Sequence, residues 1–129
     1  MIKNEYKYSD ITAKIIGCAM TVHAELGMGF PEYIYQRAME YEMQNQKIEF
    51  VREYEMSIYF KDVLMGKRRV DFFVANSVSV ELKATSELTN EHFNQALNYL
   101  KAGRTEVGLL INFGSPSLQF KRLINNNYR

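Results

Sequence analysis

The sequence has almost no net charge, a single cysteine and no apolar run long enough to cross a membrane. A formal charge of +1 over 129 residues excludes a polycation. Any affinity for nucleic acid must then come from local placement of lysines and arginines. The one cysteine, Cys18, excludes an internal disulfide and fits a reducing compartment. It sits among apolar residues of a helical pattern, so packing explains it better than reactivity. The first residues, Met1-Ile2-Lys3-Asn4-Glu5-Tyr6, contain no apolar leader core. No run approaches the roughly 20 residues of a membrane span. These absences give the expectation of a cytoplasmic protein with no membrane partner. No repeat, low-complexity segment or linker interrupts the chain, and 47% hydrophobic content over 129 residues suits one compact domain.

What is present is a clear periodicity. Ser9-Asp10 is placed to cap a first helix, whose stripe is Ile11, Ile15, Ala19, Val22 and Leu26. Gly27-Met28-Gly29 ends it. Pro31 opens a second helix that runs to about Gln46. Three strand-like runs follow. Phe50 to Phe60 is the first, Asp62 to Lys67 turns the chain with Gly66 as breaker, and Lys67 to Val74 returns. Asn76-Ser77 turns again into Val78 to Ala84. Thr89 or Asn90 caps a third helix with Phe93, Ala96, Leu97 and Leu100 on its apolar face. Val107 to Phe113 is nearly all apolar, as in a strand covered on both faces. Leu118 to Ile124 is the last strand. The order α-α-β-β-β-α-β-β predicts an α/β fold with a mixed sheet flanked by helices.

Charges within the strand runs point to chemistry. Strand side chains alternate faces, so Glu81 and Lys83 share one face, opposite Val80 and Leu82. A half-exposed strand with a solvated Glu/Lys face is the ordinary account of that pattern. Asp71 is different, because its neighbours are Val70, Phe72, Phe73 and Val74, and a carboxylate buried there without partners is costly. An ion pair with Arg69 or Lys83 is the structural solution. A divalent metal is the functional one, since Mg²⁺ prefers hard oxygen ligands. On the third helix Gln95 and Tyr99, four residues apart, share a face. A solvated pair is the default for them, but the helix follows the Glu81/Lys83 strand directly.

Asp71, then Glu81-Leu82-Lys83, then Gln95-x-x-x-Tyr99 resembles the PD-(D/E)XK nuclease superfamily, whose restriction-endonuclease-like core has the order αβββαβ. Val70 stands where that signature has proline. Gly29-Phe30-Pro31-Glu32-Tyr33-Ile34-Tyr35 is similar to the Gly-x-x-Glu-x-x-Tyr signature of the small GxxExxY-type branch. The resemblance implies a metal-dependent nuclease that hydrolyses phosphodiester bonds. Its Mg²⁺ or Mn²⁺ would be bound by Asp71 and Glu81, with the Leu82 carbonyl and Glu32 as further ligands. Lys83 would orient the attacking water or stabilise developing charge. Gln95 and Tyr99 would position ligands or a substrate phosphate. A non-catalytic nucleic-acid-binding or partner-binding module on the same fold is the alternative. DNA is a better fit than RNA as partner, and a homodimer is one way for so small a chain to complete a substrate channel. His23 is a candidate near the site, with packing as its ordinary role, and Tyr35 is read as helix packing. Lys61, Lys67, Arg68 and Arg69 cluster at the hairpin, where a solvated turn and phosphate contacts are the two readings. Tyr54 and Tyr59 could stack on bases or pack within the strand. Asp71, Glu81 and Lys83 are expected to converge at one pocket with Glu32 and Gln95 at its rim.

Overall fold

The computed structural model describes residues 8–128. Two helices come first, α1 (Ser9–Leu26) and α2 (Glu32–Asn45), then β1 (Phe50–Phe60), β2 (Val63–Val74) and β3 (Val78–Lys83). After them come α3 (Asn90–Ala102), β4 (Val107–Asn112) and β5 (Gln119–Ile124). The strands form one five-stranded sheet in the order β1-β2-β3-β4-β5. Only β3 and β4 run parallel, with α3 as their crossover; the other pairs are antiparallel. The result is a mixed sheet flanked by three helices. Among the described residues no helix is long and apolar enough to cross a membrane.

Two apolar layers cover the sheet. On one face Ile15, Ala19 and Val22 of α1 and Tyr35, Met39 and Met43 of α2 pack on Phe72, Val78, Val80, Leu82, Leu109 and Ile111. On the other, Ala96 and Leu100 of α3 pack on Leu110 and Leu123. Alternation along β4 thus sends Leu109 and Ile111 one way and Leu110 the other, so this strand is buried on both faces. Each fully buried side chain of this size contributes about 1.5–3 kcal/mol by leaving water. The small residue Gly108 lets α3 approach: a Cβ there would lie 3.0 Å from Leu100 Cδ1 and 3.1 Å from Ser79 Oγ.

The structure moves some expected boundaries. Asp62–Lys67 is not a turn around Gly66. β1 runs on to Phe60, Gly66 pairs with Ile58 inside the ladder, and the hairpin reverses at Lys61-Asp62. Both of those residues have positive φ, 49° and 65°, as a two-residue turn matched to strand twist requires. At the start of α1, Ser9 and Asp10 lie inside the helix. The cap is Tyr8 at φ 60°, with no side-chain bond to the first turn. Thr89 does cap α3, accepting from the His92 N–H at 3.2 Å while His92 Nδ1 accepts from the Thr89 N–H at 3.2 Å. A histidine therefore fills the place a glutamate or glutamine usually takes in a reciprocal cap.

Candidate active site

Asp71 stands where β2 and β3 part. Their ladder runs from Val74↔Val78 to Phe72↔Val80 and stops, one step before Asp71 would face Glu81. There the aspartate side chain replaces the backbone ladder. Asp71 Oδ2 accepts the Leu82 N–H at 2.8 Å, and Oδ1 accepts from Gln36 Nε2 of α2 at 2.9 Å.

The hairpin changes face at the same level. On β1, Arg52 reaches Glu40 of α2, yet Met56 lies against Gly103 at the end of α3. Between them Glu53 has φ 54°, which reverses the alternation. On β2, Phe72 enters the α1/α2 core, whereas Arg68 lies over the Tyr99 ring of α3, 4.1 Å from its centroid. A side chain at this twist can draw partners from both sides of the sheet. Burial raises the Asp71 pKa, and repulsion from Glu81 adds to the rise. The Leu82 and Gln36 hydrogen bonds and the Lys83 charge oppose it without cancelling it.

Glu81 projects from β3 and is held by a guanidinium fork. Arg68 Nη2 donates to Glu81 Oε2 at 2.9 Å, and Nη1 donates to Oε1. The side chains of Arg68 and Glu81 are only 23% and 13% exposed, so the pair is screened less than a surface ion pair. Burial works against the charge on Arg68, but the hydrogen bond and charge of Glu81, with Tyr99, outweigh it and raise its pKa. The cation is therefore permanent.

Lys83 closes β3, its carbonyl accepting the Phe113 N–H at 2.9 Å. Among the described residues its ammonium has no ion-pair partner, although its charge lowers the pKa of both Asp71 and Glu32. Glu32 is the first residue of α2, where the helix dipole favours an anion. The residue is exposed, yet neighbouring protein partly desolvates its carboxylate. That burial raises its pKa first, then Asp71 and Glu81, against Lys83. Asp71, Glu81, Lys83 and Glu32 thus lie within one another's fields.

The Gly-x-x-Glu-x-x-Tyr segment explains how Glu32 reaches this place. Tyr35 is fully buried and its hydroxyl donates to the Gly27 carbonyl at 2.6 Å and accepts from the Phe30 N–H at 3.3 Å. Gly27 and Gly29 sit at φ 68° and 108°, conformations that favour glycine. The loop is tied down one turn before the helix that carries Glu32 and, four residues on, Gln36.

Other candidates lie apart. Gln95 is exposed and makes no hydrogen bond to the described site residues; Tyr99 joins only through Arg68. The Leu82 side chain is in the core, and its N–H serves Asp71. His23 Nε2 contacts the Ser115 carbonyl oxygen at 2.9 Å, a tie between α1 and the β4–β5 loop. Two hairpin cations are compensated, Lys67 by Glu55 and Arg69 by Glu53; at the turn Asp62 pairs with Arg104, and Lys61 lies over Phe60. Tyr54 stacks on Phe73 at 4.6 Å and Tyr59 lies beneath Arg104. Gln36 and the Arg68 fork are the residues that sequence reasoning missed. Gln36 was findable, one turn after Glu32 on the same helical face. Arg68 left no local signal, because its bond to Glu81 depends on the change of face at Glu53 and Asp71.

The donor set suits a hard divalent cation. Among the described residues no three His, Cys, Asp or Glu side chains are close enough to hold an ion by themselves. Mg²⁺ asks for less, since one or two carboxylates and several waters satisfy it. Asp71 and Glu81 supply such carboxylates, and their mutual repulsion, with Glu32 nearby, is what a cation would relieve. Glu81 is the constrained donor, because Arg68 engages both of its oxygens.

A family model for the PD-(D/E)XK nuclease superfamily matches residues 9–123. No curated protein matches the sequence. Among solved structures, the crystal structure of SSO0001 is similar with a TM-score of 0.58 at 17% identity. The alignment covers 95% of this chain and 61% of that one, so the chain spans about three fifths of that protein's length. At this identity the likeness shows the fold alone, which is the restriction-endonuclease-like arrangement. The chain belongs to the PD-(D/E)XK nuclease superfamily.

Proposed function

We propose that this member of the PD-(D/E)XK superfamily hydrolyses phosphodiester bonds of nucleic acid with a divalent metal, Mg²⁺ or Mn²⁺, bound by Asp71 and Glu81. The observation that carries the reading is Asp71 itself. It is a half-buried carboxylate at the split end of a strand pair, raised in pKa by burial and by the charge of Glu81, with the charge of Lys83 in opposition. Such a group is expensive to keep for folding alone. The cation would supply an activated water and offset charge at the phosphoryl oxygens.

The chain's own groups do the rest. Leu82 N–H and Gln36 hold the Asp71 carboxylate by one bond to each oxygen. Lys83, without an ion pair among the described residues, is the group to orient the attacking water or to stabilise the charge that develops on the phosphoryl group. Glu32 enters from α2 as the additional acidic group directed at the metal, reaching it through the waters that Mg²⁺ keeps, and the Leu82 carbonyl is a further candidate. Tyr99, which carries Arg68 on its ring, and Gln95, one turn before it on α3, are assigned to position ligands or a substrate phosphate. We further assign the chain to the small GxxExxY-type branch, on Gly29, Glu32 and Tyr35. We take it as one domain, a cytoplasmic protein acting on DNA in preference to RNA, with a homodimer to widen the substrate surface.

A second reading has its own support. The fork of Arg68 on Glu81 occupies both oxygens of a carboxylate that metal-dependent cleavage would need, which favours a module that binds without cutting. Cleavage assays on single- and double-stranded DNA and RNA decide between the two. Wild-type protein should cut with Mg²⁺ or Mn²⁺ and stop with EDTA, and Lys83→Ala should bind and not cut. Binding without cleavage under every condition would replace the nuclease by the binding module.

A further inference from the structure

We propose that Arg68 is a built-in stand-in for the metal: its guanidinium neutralises Glu81 while the site is empty and leaves Glu81 when a divalent cation is bound. The inference rests on the reading of Asp71 and Glu81 as metal ligands.

The geometry is that of competition. The fork takes both Glu81 oxygens, and a carboxylate so engaged has its best lone-pair directions filled. Arg68 reaches Glu81 from the α3 side, lying over Tyr99 at 4.1 Å from the ring centroid, whereas Asp71 is held from the α2 side by Gln36. The two carboxylates are thus kept by different elements, and the guanidinium is the cation directly bonded to either of them among the described residues. Without Arg68, Glu81 would face the charges of Asp71 and Glu32 with no cation bonded to it among the described residues. The Tyr99 face also gives the displaced guanidinium somewhere to go. It can slide along the ring and keep its cation–π contact, which places a permanent cation beside the site where a phosphate would approach.

Titration calorimetry with MnCl₂ on the full chain tests this, comparing wild type, Arg68→Ala and Arg68→Lys. Arg68→Ala should bind Mn²⁺ about tenfold more tightly than wild type, the effect of freeing a carboxylate from a charged hydrogen-bonded partner. Arg68→Lys keeps the charge and loses the fork, so it should fall between the two. Equal affinity of Arg68→Lys and wild type would mean that charge alone matters, and would overturn the proposal, as would weaker binding by Arg68→Ala. Guanidinium ¹⁵N spectra give a second reading that needs no folded Arg68→Ala. The Arg68 signal of wild type should move as Mg²⁺ saturates the protein. A fixed signal at saturation would refute displacement and leave the metal site standing. If neither wild type nor Arg68→Ala binds Mn²⁺, the assignment of Asp71 and Glu81 as ligands fails, and this inference with it.

Discussion

Removing one oxygen, in Tyr35→Phe, isolates the tie that places Glu32. The ring is fully buried and stacks on Phe113 with centroids 4.7 Å apart and planes 11° from parallel. Phenylalanine keeps that stack and nearly the same volume. It loses the 2.6 Å bond to the Gly27 carbonyl and the longer 3.3 Å bond from the Phe30 N–H. Depriving a buried polar group of its partner costs about 1–3 kcal/mol, and with one long bond of the two the lower half of that range, about 1–2 kcal/mol, applies. Unfolding entropy near 2.1 cal/mol/K per residue makes each kcal/mol worth about 4 °C in a chain of 129 residues. Tm should therefore fall by about 4–8 °C in EDTA. The Mn²⁺ affinity should fall as well, because the loop entering α2 carries Glu32. Differential scanning calorimetry and metal titration read the two effects separately. A variant that melts within about 1 °C of wild type would refute the reading of Tyr35 as the tie of the Gly-x-x-Glu-x-x-Tyr loop.

Asp71→Asn should change how metal-free stability depends on pH. Burial and repulsion from Glu81 raise the folded Asp71 pKa, so its contribution is full below the unfolded value of about 3.9 and is lost as pH rises through the folded pKa. The asparagine variant should lack that loss, and urea unfolding in EDTA from acid to neutral pH measures it; identical profiles would contradict the strained carboxylate. Glu81→Gln should shrink the Mn²⁺-dependent rise in Tm that mass action gives wild type, and equal affinities by calorimetry would remove Glu81 from the ligand set.

Much of the scaffold was legible because it rests on local periodicity. The strand runs at Phe50–Phe60, Val78–Lys83 and Val107–Asn112 and the helix stripes of α1 and α3 follow from side-chain alternation and helical spacing. The hairpin turn was not. Lys61 and Asp62 adopt positive φ without glycine, while Gly66, the residue with the turn signal, lies in the strand. Asp71, Glu81 and Lys83 stood out as charges on apolar strands. Their partners did not, since Gln36 and Arg68 lie 35 and 13 residues away from the groups they bind. Strict strand alternation would set Arg68 on the face of Phe72. The left-handed Glu53 opposite Asp71 breaks that alternation, and such a break is a tertiary event with no pattern of its own. The hairpin cations show the same limit: Lys61, Lys67, Arg68 and Arg69 left a solvated turn and phosphate contacts both open, and cross-strand acids compensate three of the four.

A crystal of the protein soaked in MnCl₂ and measured for anomalous scattering tests the site most directly. One peak is expected about 2.1 Å from oxygens of both Asp71 and Glu81, with Arg68 off Glu81 and still on Tyr99. Saturating Mn²⁺ that leaves no peak between the two carboxylates, with the Arg68 fork intact, would contradict it.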